Sequence, residues 1–170
     1  MGDFRRTMEL VDTEARKRRA ALGILPRSYA HKIPFIHAHS FVYTVDSFGK
    51  FLDVLWSYSG LPEGVAALRD EFYERLPTVR KIRNSALHIE DRSRGYGSWK
   101  DAERGRKMEL REGFLGLSNL EGNQLCYTID DGSYQRIEVS CNTLHVLVEL
   151  LNRLLTVFTW KGSPRVEPSY

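Results

Sequence analysis

Apolar residues recur at helical spacing along two long stretches of the chain, which a short turn joins. The first stretch, from about residue 37 to 58, has its apolar positions at Phe41, Val45, Phe48, Leu52, Leu55 and Trp56. The sequence "SGLPEG" ends it, and Pro62 suits the first turn of a second helix. That helix runs through "VAALRDEFYERL" until Pro77 kinks or restarts it before "VRKIRNSALHIEDR". The pattern predicts an antiparallel helical hairpin.

A loop and a β-hairpin are predicted next. After Asp91 the segment "RSRGYGSWKDAERGRK" has no apolar period and many positive charges, which predicts an exposed, mobile loop. The following segment "LCYTIDDGSYQRIEVS" contains two alternating runs around Asp131 and Gly132. This pattern predicts a hairpin with strands near 125–129 and 134–139.

Helices are also predicted near both ends of the chain. Residues 4–22 can form a basic amphipathic helix that carries the tract from Arg16 to Arg19. The run 143–160, capped by Ser140 or Asn142, is predicted to be the most buried helix. Its apolar residues are Leu144, Leu147, Val148, Leu151, Leu154, Leu155 and Phe158. The fold class expected is mainly α, an antiparallel helical bundle with a small β-hairpin insertion, at about 124–140, before the last helix.

Composition limits the class of protein without naming a function. A chain of 170 residues with 42% hydrophobic and 28% charged residues fits one soluble domain, 1–160, followed by a disordered tail at 161–170. A net charge of +3 permits an anionic partner but does not require one. Two cysteines, a charged start without a secretory leader and polar residues within the last helix predict a cytoplasmic protein that is not inserted in a membrane.

The stretch "VRKIRNSALHIEDR" places several polar side chains on one face of its helix. At roughly 100° per residue, the stripe predicted to face the core consists of Val79, Ile82, Ala86 and Ile89. The opposite face then carries Arg80, Asn84, Leu87, His88 and Asp91, with Arg83 on its flank. Because Asn84 and His88 are four residues apart, the amide can hydrogen-bond and orient the imidazole.

Arg83 does not face the same way as His88 on a regular helix. A separation of five residues turns the two side chains about 140° apart. The helix could distort, the arginine could reach round, or a second copy of the chain could complete the site. Leu87, an apolar residue within the polar face, favours the second copy and therefore a twofold homodimer.

The segment "RNSALH", Arg83 to His88, resembles the signature of the HEPN superfamily of small helical bundles. In that signature an arginine and a polar residue are followed by a histidine after four to six intervening positions. The resemblance extends over about residues 37–92 and the last helix, and leaves out the arginine-rich loop and the β-hairpin. It implies an HEPN-like bundle and a homodimeric, metal-independent endoribonuclease without a cofactor.

The resemblance also implies a role for each residue of the motif. His88 would act as general acid or base, Arg83 would hold the charged phosphorane, and Asn84 would orient His88. Attack by the RNA 2′-OH would leave a 2′,3′-cyclic phosphate and a 5′-hydroxyl. Many relatives are toxins, phage-defence effectors or RNA-processing factors, so an antitoxin protein is one candidate partner. Other relatives are inactive, and the alternative is a helical module that binds a nucleotide, RNA or a protein.

The candidate RNA-binding residues are basic or aromatic. They are Arg80, Arg92, Arg94, Tyr96, Trp99 and Lys100. Cations would follow the RNA backbone and the aromatic rings would stack on bases, although solvated faces and packing over the loop are the alternatives. No metal site is expected: the cluster His31, His37 and His39 lacks an acidic or cysteine partner. His145 suits a hydrogen-bonded core histidine better than a catalytic one.

Overall fold

The computed structural model describes residues 17–18, 21–23, 32–159 and 161. Most of the basic helix expected at 4–22 and nearly all of the tail lie outside the described residues. Contacts divide the chain into two units, residues 1–37 and 38–170. The core and the candidate site belong to the second unit.

Six helices lie within the described residues 32–159. They are α1 (Ile33–Trp56), α2 (Gly64–Arg75), α3 (Val79–Leu87), α4 (Ile89–Ser93), α5 (Trp99–Glu103) and α6 (Cys141–Val157). Pro77 falls between α2 and α3, as the sequence predicts, because proline cannot donate the backbone hydrogen bond that a continuous helix requires. The mainly helical class, with a small sheet before the last helix, is confirmed.

The three strands form one antiparallel sheet. They are β1 (Asn119–Glu121), β2 (Gln124–Thr128) and β3 (Tyr134–Glu138), paired in that order. The predicted hairpin corresponds to β2 and β3, with Leu125 opposite Ile137. Gly132, at φ 79°, lies in the turn, a conformation that glycine adopts without strain. Strand β1 was not predicted, because three residues are too few to show a period.

The core lies where α1, α2 and α3 meet the sheet. Val45, Leu52, Phe72, Ile82 and Leu125 are all completely buried. Helix α1 packs against α2 through Gly49, where the missing side chain makes room for the Phe72 ring. Helix α3 packs against β2 and β3. The sheet is therefore part of the core that supports α3 and not a peripheral hairpin.

Helix α6 is less buried than the sequence predicts. Ser140 is its N-cap and accepts hydrogen bonds from the N–H groups of Asn142 and Thr143. Thr143, Leu150 and Leu154 are buried, but Leu144 is 40% exposed. Much of its apolar surface instead lines an open groove of about 580 Å³ together with Phe51 and Leu55 of α1. The prediction that this helix is the most buried element is therefore wrong.

The described helices can be compared with the length and apolar character of a membrane-spanning segment. None of them combines the length and the apolar character that crossing a membrane requires.

Candidate functional site

His88 lies at a break between two helices. Helix α3 ends at Leu87 and α4 begins at Ile89, while His88 itself has φ −109° and ψ 42°, outside the helical region. Its N–H donates to the Asn84 carbonyl at 3.0 Å and its carbonyl accepts from Arg92 at 3.1 Å. The imidazole is 55% exposed, and its Nδ1 lies 4.0 Å from a carboxylate oxygen of Glu90.

The break changes which residues face the core. Ile89 was expected on the buried stripe of a continuous helix but is 41% exposed. Asp91 was expected on the opposite face but is buried. Both predictions fail for one reason: the non-helical backbone at His88 rotates every later residue relative to α3. The distorted helix was one of the three alternatives that the Arg83 and His88 spacing left open.

Arg83 turns toward α1 and binds the buried carboxylate of Asp46. Its Nε donates to Oδ2 at 2.7 Å and its Nη2 lies 2.6 Å from the same oxygen. The Asp46 side chain is only 2% exposed and that of Arg83 12%. Lys50 contacts Asp46 at 3.2 Å, and Arg80 contacts it at 3.3 Å. The carboxylate therefore holds three cations.

A second carboxylate, Asp53, extends this network along α1. It accepts hydrogen bonds at 2.8 Å from Arg69, from Arg80 and from the Tyr73 hydroxyl. We call the group Asp46, Lys50, Asp53, Arg69, Arg80 and Arg83 the arginine cluster. It contains four cations and two carboxylates, although Arg69 also pairs with the exposed Asp70. Arg80, a candidate RNA-binding residue, thus belongs to an ion-pair network but keeps an exposed side.

The network shifts the pKa of its acidic members. Burial alone would raise the pKa of Asp46, but hydrogen bonds from Arg83 and Lys50 outweigh burial and lower it below its ordinary value. The pKa of Asp53 is lowered in the same way by Arg80, Tyr73 and Arg69. Burial and the hydrogen bond to Asp53 raise the pKa of Tyr73 to about 12. Both carboxylates are therefore charged, and Tyr73 is neutral, at neutral pH.

A cavity of about 210 Å³ opens beside His88. Its lining comes from α3, the break and α4 through Asn84, His88 and Arg92, and from later segments through Gly97, Ser98, Trp99 and Asp130. Within the described part of the chain, the Asn84 amide and the His88 ring share this cavity without a hydrogen bond between them. The contact between the two residues runs through their backbones instead.

Arg92 is buried, although the sequence placed it at the start of an exposed loop. Only 3% of it is exposed, and its guanidinium donates to Ser85 at 3.2 Å and to the Tyr96 carbonyl at 2.8 Å. Burial lowers its pKa, against the attraction of Asp130, Asp91 and Asp101. Arg92 therefore binds the loop to α3 from inside, because the break at His88 turns it inward.

The arginine-rich loop has more internal structure than the sequence predicts. It contains α5, whose N-cap Ser98 accepts a hydrogen bond from the Asp101 N–H. The N–H of Met108 donates to the Gly95 carbonyl at 2.9 Å, and Arg106 Nε donates to Asp101 at 2.8 Å. These bonds close the loop on itself.

The aromatic candidates of this loop differ in their surroundings. The Tyr96 ring has the ammonium of Lys107 4.0 Å and the guanidinium of Arg94 5.6 Å from its centroid. Trp99 is 57% exposed and has Lys100 5.7 Å from its centroid. Trp99 also lines the cavity with His88. Trp99 is therefore the candidate aromatic residue of this loop that borders the cavity.

The described histidines offer limited options for a metal. His88, Glu90 and Asp91 place ligand atoms within 4.8 Å of one another. Asp91, however, already accepts a hydrogen bond from Arg94 at 2.7 Å, and the other two side chains are exposed. Of the histidine cluster noted in the sequence, His31 lies outside the described residues. His39 instead contacts the Tyr127 hydroxyl at 2.7 Å through its Nε2.

Two acidic residues at the site were not singled out from the sequence. Asp46 follows Val45 on the buried face of α1, so a lone acidic residue on an apolar stripe was the available signal. Asp130 follows β2 and reaches the cavity only through the tertiary fold. No local pattern distinguishes it from an ordinary turn residue.

Comparisons with family models, with curated proteins and with solved structures give no match for this chain. The resemblance to the HEPN superfamily therefore rests on the motif Arg83 to His88 and its helical setting.

Proposed function

We propose that this protein is a metal-independent endoribonuclease of the HEPN type, in which His88 exchanges protons with RNA. The observation that carries the proposal is the helix break, which leaves the imidazole exposed at the mouth of a cavity. A structural histidine within a continuous helix would need no such break. Histidine is also the side chain suited to proton transfer near neutral pH.

The reaction needs few protein groups because RNA contains its own nucleophile. A base removes the proton of the 2′-OH, the 2′ oxygen bonds to phosphorus, and the bond from phosphorus to the 5′ oxygen breaks. An acid returns a proton to that leaving oxygen. His88 supplies one of these two steps, and the products are a 2′,3′-cyclic phosphate and a 5′-hydroxyl.

Arg83 supplies positive charge for the phosphate in this proposal. Its Nε and Nη2 contact Asp46, and a guanidinium has five N–H donors, so donors remain for a phosphate oxygen. The buried carboxylate fixes the direction of the guanidinium. The arginine cluster has more cations than carboxylates, which favours the RNA backbone near α1 and α3.

A homodimer would bring the two halves of the site together. Leu87 is 48% and Ile89 41% exposed, and they lie on either side of His88. Exposed apolar residues that flank a polar site suit contact with a second copy. In this arrangement His88 of one copy and Arg83 of the other face a shared phosphate.

The compartment and the partners are proposals of the same kind. Cys126 and Cys141 are both free, as is usual in the reducing cytosol, where RNA is available. A toxin or phage-defence role and an antitoxin partner stay predictions from the resemblance.

One observation favours the alternative of a non-enzymatic binding module. Arg83 is held by Asp46 within its own chain and is only 12% exposed. In a module without catalysis, Arg83 would be a structural residue and the cavity beside His88 would bind a nucleotide or a partner.

The test is incubation of the purified protein with 5′-labelled RNA in EDTA. The wild type is expected to cleave, leaving 2′,3′-cyclic phosphate ends. His88→Ala is expected to lose at least about 100-fold in rate, because general acid–base catalysis contributes about that much. Since the His88 side chain is exposed, this substitution leaves the fold intact.

The matched control is His145→Ala, which removes another exposed histidine, on α6. It is expected to cleave like the wild type. Absence of cleavage by the wild type, or equal rates for His88→Ala and His145→Ala, would refute the catalytic proposal and leave the binding module.

A further inference from the structure

The cavity beside His88 contains groups that the cleavage chemistry does not use. Trp99 and Asp130 both line it, and they come from different parts of the chain, helix α5 and the turn after β2. Gly97 makes this meeting possible, because a side chain there would collide with the Asp130 carbonyl oxygen. The loop and the sheet are thereby held in contact at the cavity wall.

Trp99 offers a broad apolar surface at this wall. It is 57% exposed, and Ser98 fixes its position by capping α5 and by donating to the Asp101 carboxylate at 2.6 Å. An exposed indole beside a cavity is a surface on which a nucleobase stacks. Stacking does not distinguish one base from another, so selection must come from a polar group.

Asp130 is such a group. Its side chain is exposed, and within the described part of the chain its carboxylate makes no hydrogen bond or ion pair at direct contact distance. Its charge acts on the nearby Arg92 guanidinium, whose side chain is committed to Ser85 and the Tyr96 carbonyl. Both carboxylate oxygens can therefore accept hydrogen bonds from a ligand in the cavity, such as two parallel N–H groups.

Only one standard RNA base presents two adjacent donors on its pairing edge. Guanine has N1–H beside N2–H₂, whereas adenine, cytosine and uracil present a donor next to an acceptor. A carboxylate accepts hydrogen bonds and cannot donate one when ionised. A carboxylate that lines the same cavity as an exposed indole thus matches guanine and repels the acceptor atoms of the other bases.

We infer that the cavity lined by Trp99 and Asp130 is a guanine-binding subsite that directs cleavage to phosphates adjoining guanosine. The inference rests on the proposed ribonuclease function. In it, the base stacks on Trp99, its N1–H and N2–H₂ donate to Asp130, and the adjoining phosphate lies toward His88 and Asn84. Trp99 and Asp130 are specificity residues and take no part in proton transfer.

The binding test uses guanosine, inosine and adenosine 5′-monophosphates in calorimetric titrations of the full-length protein. The guanosine nucleotide is expected to bind most tightly. The inosine nucleotide lacks N2–H₂ and is expected to bind about tenfold more weakly, the effect of one lost hydrogen bond to a charged group. Equal affinity for the guanosine and adenosine nucleotides would overturn the inference.

Two variants separate stacking from selection. Asp130→Asn is expected to weaken binding of the guanosine nucleotide about tenfold and to bring it near the adenosine value. Trp99→Ala is expected to weaken the binding of all three nucleotides about tenfold without changing the order of their affinities. Glu103→Gln is the control, because it removes an exposed carboxylate at the end of α5 that does not line the cavity. Unchanged selectivity in Asp130→Asn would also overturn the inference.

Cleavage of oligouridylates that contain a single guanosine distinguishes this inference from the proposed function. Cutting beside the guanosine supports both the guanine subsite and the ribonuclease function. Cutting without regard to the guanosine refutes the subsite and leaves the ribonuclease. Selective binding of the guanosine nucleotide by a protein that cleaves no RNA supports the subsite and refutes the ribonuclease.

Discussion

Asp46 is the residue on which the arrangement around Arg83 depends. Its carboxylate is buried in α1 and contacts Arg83, Arg80 and Lys50. A buried charge is costly unless it is paired, and the same holds for the cations once their partner is removed. The residue therefore couples two functions: it stabilises the packing of α1 on α3, and it directs the guanidinium that we propose for phosphate binding.

Replacing Asp46 by asparagine should be costly at neutral pH. We expect the free energy of unfolding of Asp46→Asn to fall by about 3 kcal/mol, because Arg83 and Lys50 lose a buried counter-charge. Urea denaturation followed by circular dichroism measures this difference. Asp70→Asn is the control: its side chain is 74% exposed, so its pairing with Arg69 is worth about 0.5 kcal/mol or less.

The same variant should reveal the titration of Asp46. Its pKa in the folded protein lies below the ordinary value of 3.8, so its contribution to stability is complete above that pH. The contribution is lost as the pH falls through the folded-state pKa. The difference in the free energy of unfolding between the wild type and Asp46→Asn should therefore become smaller below pH 3.8. If this difference in the free energy of unfolding stayed constant into the acid range, Asp46 would not have the lowered pKa that the ion pairs produce.

At the scale of elements, close helix packing depends on a glycine within α1. Gly49 is buried where the Phe72 ring of α2 approaches, and Phe72 is itself fully buried between Phe48 and Tyr73. Glycine in a helix interior usually weakens the helix. Here the absence of a side chain is what allows α1 and α2 to meet.

Gly49→Ala should consequently destabilise the protein, against the usual effect of alanine in a helix. Alanine alone would add about 0.5–1 kcal/mol of stability, whereas forcing a methyl group against a buried ring costs about 1–3 kcal/mol. We expect the melting temperature to fall by about 5 °C. Ser47→Ala, exposed on the same helix, should change it little. A higher melting temperature for Gly49→Ala would show that the ring can move away.

The sequence predicted the elements that have a local pattern and missed the contacts that depend on distant residues. Helical periodicity indicated α1 and α6, and alternation around Gly132 indicated β2 and β3, because both signals lie within one element. The pairing of Arg83 with Asp46 joins residues 37 positions apart, and no period encodes it. Ile89 and Asp91 were placed on the wrong faces because a helix wheel assumes a continuous helix.

At the scale of the whole molecule, the apolar surface that flanks His88 bears on assembly. Leu87 and Ile89 are both more than 40% exposed and lie next to the proposed catalytic residue. If two copies meet here, activity and association depend on the same surface.

Leu87→Glu should therefore weaken both dimerisation and RNA cleavage. We expect sedimentation at micromolar concentration to show a dimer for the wild type and a monomer for this variant, with RNA cleavage falling in parallel. Leu144→Glu is the matched control, because Leu144 is 40% exposed on α6. A wild type that is monomeric while it cleaves RNA would rule out a shared site.

Asp130 separates the proposed base selection from the proposed cleavage within the fold. The proposed catalytic residues lie on α3 and at its end, whereas Asp130 lies in the turn that joins β2 to β3. Turns tolerate substitution better than the helices they connect. If the proposed guanine subsite holds, substitutions in this one surface turn would therefore change which RNA sequences are cut, while the residues proposed for cleavage stay unchanged.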